Sequence, residues 1–93
     1  MGKRLLKQEI KNSVDSTLTD CLFCAYLSDA DVAAKFEDLT IELIDLEAEM
    51  IERMNAFIAK GEQKAYYKQL KTDFSTKMTA IIDKISSLVQ PNK

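Results

Sequence analysis

The feature that most constrains the fold is a run of apolar residues spaced alternately three and four apart: Phe36, Leu39, Leu43, Leu46 and Met50, resuming at Phe57. Only an α-helix gathers that spacing into one stripe, and a stripe of this length is built to pack on other helices. Punctuation around it is scarce, because the 93 residues include two glycines and one proline. Long helices joined by short links are therefore expected, with consecutive helices antiparallel.

Three segments follow, at about residues 3–27, 30–60 and 62–89. Ser28 with Asp31 resembles a capping box for the second helix, and Asp29 is a further candidate cap. At its other end Lys60 and Gly61 read as a cation in the last turn followed by a residue free to turn left-handed. Pro91 marks the end of the third helix. Residues 1–93 are read as one domain, since a chain this short builds one core. The predicted fold class is all-α: an antiparallel up-down-up three-helix bundle with long helices and coiled-coil-like packing.

The faces give each helix its expected neighbours. On the second helix, Val32 and Met54 join the main stripe, and Ala33, Ile44, Ile51 and Ile58 form another beside it. A face that wide is expected to contact two helices at once. The third helix has one clean stripe, Tyr67, Leu70, Phe74, Met78, Ile81, Ile85 and Leu88, and reads as the main partner of the second. The first helix aligns Leu6, Ile10, Val14, Leu18, Cys21 and Cys24. Its middle, from Asn12 to Thr19, is rich in residues of low helix propensity, which leaves open whether the helix is continuous or broken or bent near Ser13.

Charge is segregated. Residues 1–28 carry +1, residues 29–60 carry −6 and residues 61–93 carry +3, for a net −2. Packing an acidic second helix against a basic third disfavours wrong pairings, although each exposed ion pair contributes only ~0–1 kcal/mol.

The inventory argues against catalysis. Without His the chain lacks the commonest proton-transfer side chain at neutral pH, and no glycine-rich loop or nucleophile elbow is present. The reading is a non-enzyme with no cofactor, no metal and no small-molecule substrate. Cys21-Leu-Phe-Cys24 has C-x-x-C spacing but falls late in a helix with no further Cys or any His, so both thiols read as core residues. Glu47 and Thr40 lie at the edge of the apolar sector, where Glu47 is expected to reach the boundary or meet a lysine of the third helix.

What remains points to a protein partner. Phe23, Tyr26 and Leu27 face away from the side defined by Ile10, Val14 and Cys21, and Leu5 lies on the same outward side. Apolar residues all round one end of a helix imply a covering loop, another subunit or an exposed patch. The favoured reading is a helical interaction module, such as an adaptor, chaperone-like protein or regulatory subunit. It self-associates as a homodimer through the first helix, with Leu5, Phe23, Tyr26 and Leu27 as the contact residues.

Two other classes are weighed. Glu42, Asp45, Glu49 and Glu52 have the i, i+3 spacing of Mg²⁺-binding helices in all-α nucleotide-processing enzymes, but no matching acids face them from other helices. Lys64, Lys68 and Lys71 interleave with Tyr66 and Tyr67 as in a nucleic-acid contact, which the negative net charge disfavours. The longest apolar run, Cys21 to Leu27, is too short to span a bilayer, so no membrane association is expected. Gly2 stands at a myristoylation position, but Leu6 replaces the required Ser or Thr. With no export signal and no need for a disulfide, the expected compartment is the cytoplasm.

Overall fold

The computed structural model describes residues 3–89. Three helices account for most of them: α1 (Lys3–Tyr26), α2 (Ala30–Asn55) and α3 (Gln63–Val89), with a single 3₁₀ turn at Lys60–Glu62 before α3. They form a three-helix bundle about 52 Å long. No helix among the described residues is long and apolar enough to cross a membrane. The readings of Gly2 and Pro91 lie outside the described residues.

One core runs through the bundle. Ile10, Val14 and Cys21 of α1 meet Phe36, Leu39, Leu43, Leu46, Met50 and Met54 of α2, and Leu70, Met78 and Ile81 of α3 complete it. The main stripe of the second helix is therefore the centre of the fold, as its spacing implied.

The α1–α2 turn is tight because both helix ends are closed by short polar side chains. Ser28 donates its hydroxyl to the Cys24 carbonyl at 2.7 Å, which satisfies an acceptor of α1's last turn. Asp29 is the N-cap of α2: its carboxylate accepts from the Val32 N–H at 3.0 Å. The proposed Ser28–Asp31 box is thus replaced by a division of labour, Ser28 ending one helix and Asp29 starting the next.

One open question is settled and three expectations are corrected. First, the continuity of α1 that the sequence left open is resolved, since the helix runs unbroken through Ser13. Thr17 and Thr19 return their hydroxyls to the carbonyls of Ser13 and Asp15 at 2.9 and 3.0 Å, so these residues satisfy themselves within the helix instead of ending it.

Second, α2 stops at Asn55, five residues before Lys60. The carbonyls of its last turn find donors elsewhere: Tyr66 donates its hydroxyl to the Arg53 carbonyl at 2.8 Å, and Tyr67 makes a longer contact with that of Met54 at 3.4 Å. Ala56 is extended, Phe57 is 92% exposed, and Gly61 lies in the 3₁₀ turn without a positive φ.

Third, α1 approaches α2 more closely than α3 does, which reverses the expected ranking of partners. The buried residues of α1 include Val14, Thr17 and Cys21, whereas α3 presents Tyr66, Tyr67, Phe74 and Met78. Small side chains let backbones come together and large ones hold them apart.

Fourth, the additional stripe on α2 is not a second core face: Ile44 is exposed, Ala33 and Ile51 are only half-buried, and Ile58 lies beyond the end of the helix. Both neighbours share the main stripe instead.

Charge accompanies the core in the antiparallel pairing of α2 and α3. Arg53 Nη1 lies 3.1 Å from Asp73, Lys77 Nζ 3.2 Å from Glu49 and Lys84 Nζ 3.2 Å from Glu42. As the α3 partner advances by four and then seven residues, the α2 partner retreats by the same steps. A shift of one helical turn would break all three pairs together.

Candidate interaction surface

The outward side of α1 carries the exposed apolar residues that the sequence singled out. Leu5 is 53% exposed, Phe23 64%, Tyr26 85% and Leu27 67%, and Leu22, at 62%, joins them. Leu22 and Tyr26, and likewise Phe23 and Leu27, are four residues apart and so adjacent on the helix surface. Leu22 is not among the residues that the sequence singled out. The helical spacing to Tyr26 was the available signal.

These residues are exposed because the core side of α1 is fully used. Ile10, Val14 and Cys21 point inward, and the turn at Leu27–Asp29 is too short to fold back over the helix end. Between Leu5 and Phe23 the same side carries the uncharged Asn12, Ser16 and Thr19 together with Asp15, and Glu9 stands at its edge, all exposed. The surface is thus two apolar ends separated by a polar middle.

The thiols belong to the other side. Cys21 is fully buried, Cys24 packs against the core half-buried, and neither is in a disulfide. Burial raises the Cys21 thiol pKa above its usual value, with smaller contributions from Cys24 and Asp20. A thiol held protonated is a poor nucleophile and a poor metal ligand.

The acidic residues of α2 do not converge. Glu42 and Glu49 turn toward α3 and are engaged by Lys84 and Lys77, while Glu47 meets Lys11 of α1 at 3.7 Å, not a lysine of α3. Among the described residues no group of three or more His, Cys, Asp or Glu side chains is placed to hold a metal ion.

The Lys/Tyr cluster is divided as well. Tyr66 and Tyr67 are half-buried and pack edge to face, with centroids 5.4 Å apart, and the Arg53 guanidinium lies 5.9 Å from the Tyr66 centroid. Their hydroxyls are committed to the end of α2. Lys64, Lys68 and Lys71 remain exposed without an aromatic face beside them that is free to stack.

Comparison with family models, with curated proteins and with solved structures finds no significant match for this chain.

Proposed function

We propose that the chain is a non-catalytic helical interaction module that self-associates through the outward side of α1. The observation that carries this reading is the set of five large apolar side chains on that helix, Leu5, Leu22, Phe23, Tyr26 and Leu27, each more than half exposed. Covering a Leu or Phe side chain is worth ~1.5–3 kcal/mol, so a patch of this kind favours a partner.

Charge selects α1 over α2 as the surface for a second copy. The segment containing α1 carries +1 and that containing α2 carries −6, so two α1 faces meet with far less repulsion than two α2 faces would suffer. A two-fold antiparallel pairing centred near Asp15 sets Leu5 of one copy opposite the Phe23–Leu27 end of the other and brings the two exposed Asp15 carboxylates near each other at the axis, a local cost that the apolar ends must outweigh. Asn12, Ser16 and Thr19 then occupy the rest of the middle.

The test is the solution mass of the reduced protein by light scattering over a wide concentration range, beside a Phe23→Ser/Leu27→Gln variant. A dimer that becomes a monomer in the variant, with helicity retained, supports the reading. A monomer at every concentration, or a dimer indifferent to the substitutions, overturns it.

A further inference from the structure

The exposed stripe on α2 is a distinct surface with a charge of its own. Ile41, Ile44, Ala48 and Ile51 follow one another at steps of three, four and three, and Asn55 continues the pattern at the last residue of the helix. This is heptad spacing, the pattern by which one helix seats another. Ile41 and Ile44 are 57% and 51% exposed, Ala48 is exposed and Ile51 is half-buried. Ala48 leaves a shallow depression between Ile44 and Ile51, open to solvent and lined also by Glu47, Glu52, Asn55 and Ala56. A small residue between two larger ones is the hole into which an incoming side chain fits.

The flanks of the stripe are acidic. Asp38, Asp45 and Glu52 recur every seven residues along one edge, and Glu47 stands on the other. Among the described residues Glu47 alone of these four has a basic nitrogen within 4 Å, that of Lys11. The two basic residues of α2 are elsewhere: Arg53 is held by Asp73 on the α3 side, and Lys35 lies outside the stripe. An apolar seam edged by one sign of charge selects its partner by the opposite sign.

We infer that the Ile41–Ile51 face of α2 is a docking site for a cationic amphipathic helix of another protein, one with apolar residues at heptad spacing and Lys or Arg beside them. A second copy's α2 is disfavoured because acids would face acids on both edges, and the same charge repels an anionic membrane surface. The inference does not depend on self-association through α1, which uses a different helix.

The test uses three fluorescent synthetic peptides of three heptads each: one with Leu at the seam positions and Lys beside them, one with Glu in place of Lys, and one with the lysine peptide's composition scrambled to remove its apolar face. Binding is read by fluorescence anisotropy. The lysine peptide is expected to bind, and raising NaCl from about 50 to about 500 mM should weaken it at least tenfold by screening. Ile44→Gln/Ile51→Gln and Asp45→Lys/Glu52→Lys variants should each lose at least tenfold in affinity. An unchanged helical circular dichroism signal establishes that they remain folded. Equal binding of the scrambled or glutamate peptide overturns the inference, as does undiminished binding by the Ile variant. Loss of the protein's own oligomer in the Ile variant also overturns it, because the occupant would then be a second copy.

Discussion

Tyr66 holds the end of α2 from the start of α3: its hydroxyl lies 2.8 Å from the Arg53 carbonyl, and the Arg53 side chain reaches back over its ring. One residue is thereby gripped at both its backbone and its side chain by a tyrosine thirteen positions later. The contact explains why the chain leaves the helix at Asn55, and it makes the turn toward α3 a built connection.

Replacing Tyr66 with Phe keeps the ring and removes the hydrogen bond. The expected loss is about 1 kcal/mol, within the usual range for one such bond, and a fall of roughly 4–8 °C in melting temperature. Thermal unfolding followed by circular dichroism measures it, and the folded protein should keep its helicity.

Gly61 gives the opposite prediction. Its φ is not positive, and a Cβ there meets nothing within 4 Å, so alanine fits the native backbone. Gly61→Ala is expected to stabilise by roughly 0.4–1 kcal/mol through the smaller entropy of the unfolded chain. Urea unfolding provides the comparison, and a destabilised variant would show that the link needs glycine's freedom.

Asp73 sets a pH dependence. The side-chain hydrogen bond from Gln69, at 2.8 Å, and then Arg53, at 3.1 Å, hold its carboxyl below the ordinary range. A carboxyl whose folded pKa is depressed contributes fully above the unfolded value, near 4 for Asp, and loses that contribution as pH falls through the folded value. Unfolding free energies from pH 7 downward should therefore drop in acid more steeply for the native protein than for Asp73→Asn. Parallel curves would mean that the exposed pair is silent.

The two thiols should be distinguishable. With Cys21 fully buried and its pKa raised, a thiol reagent added to native protein should modify Cys24 first and Cys21 at least about tenfold more slowly. In urea both should react at similar rates. A Cys24→Ser variant that still labels rapidly when native would contradict this placement of Cys21.

Much of this architecture was legible because helical periodicity states which residues face inward. Phe36 through Met50, Leu70, Met78 and Ile81 were readable as core, and Phe23, Tyr26 and Leu27 as outward. The end of α2 was not. Periodicity carried the stripe on to Phe57, but the tyrosines that replace the helix's own donors come from the next helix, a tertiary contact that no local pattern encodes. The ranking of α1 over α3 was missed for a related reason. Hydrophobic pattern reports which face is buried, whereas backbone approach depends on side-chain size across the contact. Within the candidate surface, Leu22 was not legible because a helix end that is apolar all round does not by itself mark which of its side chains stay uncovered.

The unequal seating of the helices sets an order of opening. α1 and α2 make the more extensive contact, so the pair is expected to be the last to come apart. α3 is fastened through an exposed row of ion pairs and the tyrosine clasp, with little contact to α1. Native-state hydrogen exchange should therefore divide the molecule into two cooperative units, a slowly exchanging α1–α2 hairpin and a third helix that releases first. In that partly open state Leu43, Leu46 and Met50 would meet solvent on the side α3 had covered, so the same 3/4 apolar repeat that organises the folded bundle becomes its point of vulnerability to exchange of α3 between molecules.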